Sequence, residues 1–313
     1  MNPATTVFLF PGQGSQVVGM GRELVETYPE ARAVFAQADT VLGFALSRLC
    51  FDGPEAELTD TINAQPAILT TSIAALRVIE THAPHIAPAF VAGHSMGEFS
   101  ALVAAGSLTF EDALNLVRER GRLMKQAGQA QPGGMAAIMN LTRDVLDAVC
   151  REASELTGRP VQVANDNSPG QIVISGDNAA LDKAMELAKT RGAKRAIKLA
   201  VSIASHSQLM TAAARSFRSA LDAVSFVPMK VPVIGNVYAR PIDPVDVRDE
   251  LEAQLTSPVR WTETIQYLAQ RGVTICLEVG PKDVLAGLVR RIDTSLTAMS
   301  IGDPKTVQLL LEA

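Results

Sequence analysis

The sequence predicts an α/β fold in two parts, a large domain on a parallel sheet and a smaller inserted unit of order βαββαβ. Three observations carry this expectation. Short apolar runs alternate with helical patterns towards both ends of the chain, which implies parallel strands covered by helices on both faces. One such run, ending at Ala92, enters a Gly93-His94-Ser95-Met96-Gly97 turn and then a helix of small residues. Between residues 131 and 200 the pattern changes to strand, helix, strand, strand, helix, strand.

In chain order, Thr6 to Phe10 is a β-branched and aromatic strand that breaks at Pro11-Gly12-Gln13-Gly14-Ser15-Gln16. The glycines let backbone amides, that of Gln13 included, approach a reacting carbonyl; a plain tight turn is the alternative. Neither the Lys-Ser/Thr of a phosphate loop nor the third glycine of a dinucleotide fingerprint follows. Helical patterns fill Met20 to Phe51, a loop spans Phe51 to Pro54, and Gln65-Pro66 opens an apolar, buried helix from Ala67 to Ile79. Pro88 to Ala92 reads as a buried strand and Phe99 to Ala105 as a helix stopped by Gly106. That is the setting of a nucleophile. A serine on such a strand-to-helix turn has its Oγ lifted out of the sheet, with the next backbone N–H and the helix N-terminus facing a developing oxyanion. A turn that merely packs helix on strand is the other reading of Ser95.

Thr109, with Asp112 three residues on, starts a helix that continues to about Ala127. At about 100° per residue, Ala113, Val117, Met124 and Ala127 share one face with Leu116 near its edge. Arg120 falls in the middle of that face, whereas Arg118, Arg122 and Lys125 point to the other side. A guanidinium there is costly to bury unless it meets buried acceptors or a substrate carboxylate, which Arg binds bidentately.

The inserted unit reads as a strand (Met135 to Asn140), a helix capped by Thr142 (Arg143 to Leu156), a strand (Pro160 to Ala164) and a turn (Asn165 to Gly170). A strand (Gln171 to Ser175), a helix closed by Gly192 (Ala179 to Arg191) and a strand (Arg195 to Leu199) complete it. This is the ferredoxin-like order. The expected division is therefore 1–130 with 201–313 as one domain and 131–200 as the other. Val201 to Ser207 returns the chain to the larger part, placing His206 at the mouth of a helix that runs to about Val224. Among four histidines, only His206 combines a loop position with small neighbours that leave it access. A structural histidine is equally compatible with that. Beyond it come a strand (Val231 to Gly235), a helix (Asp249 to Leu255), a turn into a further helix at Ser257 to Trp261, a buried strand (Ile275 to Val279) and a helix (Val284 to Arg290).

Composition bounds the function classes. Hydrophobic residues make up 47 % of 313 and aromatics only 4 %, which suits layers built from Ala, Val, Leu and Ile. A net charge of −5 with both signs interspersed offers no stripe for nucleic acid or an anionic membrane. Cys50, Cys150 and Cys276 are far apart and form no CxxC pair, which points to reduced, core-filling thiols rather than disulfides or zinc. No secretory leader is evident and no apolar run approaches a membrane span, so a cytoplasmic protein is expected.

With Ser95, Arg120 and His206 in place, the sequence closely resembles the malonyl-CoA:acyl carrier protein transacylases of fatty-acid synthesis and the acyltransferase domains of polyketide synthases. The resemblance covers almost the whole chain. It rests on Phe10-Pro11-Gly12-Gln13-Gly14-Ser15-Gln16, Gly93 to Glu98, Arg120-Gly121, Asn167 to Gln171, Ser205-His206, Gln254 through Pro258 to Trp261, and Glu278 to Pro281. It implies an α/β-hydrolase-like larger domain and a ping-pong transfer from a CoA thioester to an acyl carrier protein. Ser95 would be the nucleophile and His206 its base, oriented by the backbone carbonyl of Gln254. Backbone amides of Gln13 and Met96 would form the oxyanion hole, and Arg120 would hold the malonyl carboxylate. No resident cofactor or metal is implied, and a monomer is expected. In the polyketide domains a Phe before the catalytic His tends to accompany malonyl and a Ser methylmalonyl; Ser205 stands here. Free-standing malonyl enzymes also often carry Ser, so malonyl leads and methylmalonyl is the alternative extender. A serine hydrolase on the same turn and a non-catalytic docking subunit are the competing classes.

Overall fold

The computed structural model describes residues 2–201 and 203–312; Met1, Ser202 in the return segment and Ala313 lie outside the described residues. The chain begins with β1 (Thr6–Phe10), α1 (Arg22–Thr27), α2 (Pro29–Leu42), α3 (Leu46–Asp52), α4 (Glu55–Thr59) and α5 (Thr61–His82). Next come β2 (Phe90–Gly93), α6 (Gly97–Ala104) and α7 (Phe110–Ala130). The inserted unit supplies β3 (Gly133–Met139), α8 (Arg143–Thr157), β4 (Val161–Ser168), β5 (Gln171–Asp177), α9 (Asn178–Thr190) and β6 (Arg195–Lys198). The remainder is α10 (Thr211–Asp222), β7 (Val233–Ile234), α11 (Val247–Ala253), α12 (Trp261–Gln270), β8 (Ile275–Val279), α13 (Val284–Ile292), β9 (Thr297–Ile301) and α14 (Pro304–Leu311).

Five strands form a parallel sheet in the order β7-β2-β1-β8-β9. Strand β1 at its centre is buried on both faces, and its period of two assigns each face a core. Phe8 and Phe10 join the helices α2, α5, α6 and α7 on one side. Val7 and Leu9 join Trp261, Ile265, Leu285 and Val289 of α12 and α13 on the other. The inserted unit has its own antiparallel sheet, order β4-β5-β3-β6, and its own apolar core under α8 and α9. That strand order, with two helices on one face, is ferredoxin-like.

Two boundaries bearing on the site differ from the sequence reading. Helix α5 starts at Thr61, not after Gln65-Pro66, because Asp60 caps it by accepting from Ile62 N–H at 3.2 Å. Pro66 then lies inside the helix, where its missing N–H frees the Ile62 carbonyl. Arg118 of α7 donates to that oxygen at 2.9 Å, so it lies half-buried against α5 and not on an outer face. Strand β4 continues through the expected turn to Ser168, leaving Pro169-Gly170 as the tip. Helix α5 is also long and apolar enough, by length and composition, to cross a membrane, against the expectation; 83 % of its most apolar window is buried inside the fold.

Candidate active site

Parallel strands direct the loops after them to one edge, where open α/β sheets hold ligands. The loop after β1 carries Gln13, the turn after β2 carries Ser95, and the segment after β7 carries Asn236. The β1 and β2 loops pack closely. His94 N–H donates to the Phe10 carbonyl at 3.0 Å, and a Cβ on Gly97 would collide with the carbonyls of Phe10 and Pro11. Ser95 adopts φ +52°, a left-handed conformation that non-glycine residues adopt at a cost and that functional turns often store. His206 shares this feature, at φ +57°.

The structure brings Ser95, Arg120, His206 and Gln254 together. His206 Nδ1–H donates to the Gln254 backbone carbonyl at 2.8 Å, which fixes the tautomer and leaves Nε2 to accept from Ser95 Oγ–H at 2.8 Å. Burial, reinforced by the Arg120 charge, pushes His206 down to about 3, so the ring is neutral at physiological pH and able to take a proton. The Arg120 face of α7 is buried as its periodicity required, with Arg120 itself 1 % exposed. Its Nη1 donates to Gln65 Oε1 at 2.8 Å and its Nη2 to Gln254 Oε1 at 2.8 Å and to Ser95 Oγ at 3.1 Å. Burial brings it down to about 10, still charged. Among the described residues it makes no ion pair, and its Nε has no partner. The nearby Glu98 is pushed well above the carboxylate range by burial and then by Glu250, which disfavours a compensating anion. Among the described residues, the Gln13 and Met96 amides are not donors to any other group, whereas the amides of Ser95, Gly97 and Glu98 are engaged. Gln13 is held by its side chain, which accepts from Thr61 Oγ1 at 2.9 Å.

Several contributors escaped the sequence. Asn236 accepts from Ser95 N–H at 2.7 Å and donates to the Gly93 carbonyl at 2.7 Å, tying together both sides of the turn. The Gln254 side chain donates to Ser95 O at 3.0 Å and to Glu98 Oε2 at 2.9 Å while it accepts from Arg120. His94, read only as set by the turn, reaches Asn167 of the inserted unit at 2.8 Å and packs edge-on against Trp261. Gln65 had a legible signal, a buried amide at the start of an apolar helix, beside the face that buries Arg120. The others converge from distant segments and left none.

Among the described residues, a serine poised on a neutral imidazole, two free amides near it and a buried cation that makes no ion pair define an acyl-group site of the serine class. The chain belongs to the acyl transferase family, whose domain model matches residues 7–302. Its relatives carry a more particular name. It is 48 % identical over 306 residues to a malonyl CoA-acyl carrier protein transacylase of Bacillus subtilis, covering 97 % of this chain and 96 % of that one. The Escherichia coli K12 protein of the same name is 44 % identical over 306 residues, with 97 % and 98 % covered. A crystal structure of malonyl-CoA:acyl carrier protein transacylase from Xanthomonas oryzae superposes with a TM-score of 0.95 at 43 % identity, covering 100 % and 99 %. A malonyl-transacylase solved in complex with a type II polyketide acyl carrier protein gives 0.94 at 41 %, covering 98 % and 99 %.

Proposed function

We propose that this chain moves a malonyl group from malonyl-CoA to the phosphopantetheine thiol of an acyl carrier protein through an ester on Ser95. The observation that carries the reading is Arg120, a buried cation that makes no ion pair among the described residues and lies 3.1 Å from the Ser95 hydroxyl. Such a group invites an acyl chain that ends in a carboxylate. His206 Nε2 takes the Ser95 proton as Oγ attacks the thioester carbonyl, and the Gln13 and Met96 amides hold the oxyanion. Collapse expels CoA thiolate, which recovers the proton from His206. The carrier thiol then gives its proton to His206 and attacks the ester carbonyl; the ester bond breaks and Ser95 Oγ recovers the proton from His206, which restores the resting pair. The Gln254 carbonyl, a neutral acceptor, stabilises imidazolium less than a carboxylate does, which favours an ester that waits for a thiol.

These steps draw on side chains and backbone alone, without a resident cofactor. The reading includes the division into 1–130 with 201–313 and 131–200, and a cytoplasmic setting, which the three unpaired, buried cysteines support.

Incubation with malonyl-CoA is expected to add one malonyl mass to the intact chain, lost in Ser95→Ala and discharged by a carrier-protein thiol. Arg120→Ala should lower malonyl transfer by about 10²-fold or more while acetyl transfer falls less or improves. Release of free malonate without transfer would identify a hydrolase instead, and equal losses for both acyl groups would make Arg120 structural.

A further inference from the structure

We propose that Gln162, a residue of the inserted unit, positions the base for the transfer by clamping the backbone on both sides of the bond between His206 and the Gln254 carbonyl. Its Nε2 donates to the His206 carbonyl at 3.1 Å and to the Thr256 carbonyl at 2.9 Å, and its Oε1 accepts from Gln208 N–H at 3.2 Å. One amide thus spends both N–H groups and its oxygen on two separate segments. The first carries the imidazole; the second, two residues past Gln254, carries the acceptor that orients it. Neither segment is regular structure at these points, and His206 sits at φ +57°, a conformation that persists only where the surroundings enforce it.

The clamp is itself anchored. Strand β4 joins the larger sheet's connecting segment through Val259, whose N–H donates to Ala164 O at 2.8 Å and whose carbonyl accepts from Asp166 N–H at 2.9 Å. Thr262 Oγ1 adds a bond to Asp166 Oδ1 at 2.8 Å. Gln162 projects from a strand held on one side by β5, where it faces Ser175, and on the other by this joint. The inserted unit is therefore part of the mechanism for holding the base, although it contributes no group that touches the reacting atoms. The charged or titratable groups acting on His206 are Arg120 of α7 and His94 of the turn, and neither bonds Gln162.

The inference rests on His206 being the base, and its test reads serine reactivity without a malonyl substrate. Gln162→Met keeps length and loses every bond; Gln162→Glu keeps the acceptor for Gln208 and loses both donors. Per folded molecule, both variants should react with phenylmethanesulfonyl fluoride at Ser95 roughly tenfold more slowly than the native chain, since small misplacement of a reacting group is costly. In acylation by malonyl-CoA the same loss should fall on kcat with KM unchanged. The acid limb of the sulfonylation rate should move to higher pH, because a loosened His206 is better hydrated and easier to protonate. Unchanged rate and limb in both variants would overturn the proposal, as would losses explained by the unfolded fraction alone. A native chain that is sulfonylated but never malonylated would sink the transfer reading while leaving the Gln162 comparison valid.

Discussion

Arg120 performs two tasks at the residue scale. It offers a charge to an incoming carboxylate, and in its absence lowers the affinity of His206 for a proton. The neutral imidazole is the working form, so burial and the Arg120 charge both extend activity to lower pH. Arg120→Met removes the second effect and lets the His206 value rise from about 3 towards its ordinary range. The acid limb of acylation by acetyl-CoA should therefore shift to higher pH; a limb that stays put would mean burial alone sets it. A malonyl carboxylate on Arg120 acts in the same direction as the substitution, strengthening the base when the substrate is seated. Ser95, Arg120 and His206 were legible because each signal is local: a turn between glycines, a charge on an apolar helical face, a histidine among small residues. The side-chain role of Gln254 was not. Its partners Ser95, Glu98 and Arg120 lie more than a hundred residues away, and no spacing along the chain announces them.

Elements were readable wherever one period held. Helix α7 and the strand and helix order of the inserted unit follow from alternation of 3.6 and 2 residues. Helix α5 was shortened because proline was taken as a first-turn residue, its usual place, although the true cap lies at Asp60. Strand β9 and helix α14 at the end of the chain were not assigned; they are short, five and eight residues, and leave few turns or alternations to read. The Pro66 interruption makes a test of how α5 and α7 are joined. Arg118→Ala leaves the Ile62 carbonyl without its donor and should cost about 1–2 kcal/mol in denaturant unfolding. In a Pro66→Ala background the helix supplies its own N–H to that carbonyl, and the same substitution should cost less. Equal costs in the two backgrounds would separate Arg118 from the proline.

For the whole molecule the joint between the two sheets is decisive, since the site draws its serine from one and part of its support from the other. Asp166 sits at this joint, its carboxyl raised by burial and partly offset by the Thr262 hydroxyl. With a folded value above the unfolded one, this group favours the fold at acid pH and opposes it as pH rises through the folded value. Thr262→Val raises that value further, so the variant should lose stability relative to the native chain, by about 1–2 kcal/mol, and more at neutral than at acid pH. Unfolding midpoints measured at several pH values check both parts; a pH-independent difference would exclude the Asp166 carboxyl as its source. The sequence showed that a unit was inserted, but not that its strand β4 would reach across to Val259, because a single parallel bridge has no pattern of its own.

The three cysteines acquire a use from where they lie. Cys50 belongs to the core on one face of the parallel sheet, Cys276 to the core on the other, and Cys150 to the core of the inserted unit. Burial pushes each thiol up to about 12, so none is reactive while its surroundings stay closed. The native chain thus carries three internal reporters. The rate at which an alkylating reagent marks each one is a separate clock for the opening of its own core, and equal rates would show that the three cores come apart as one.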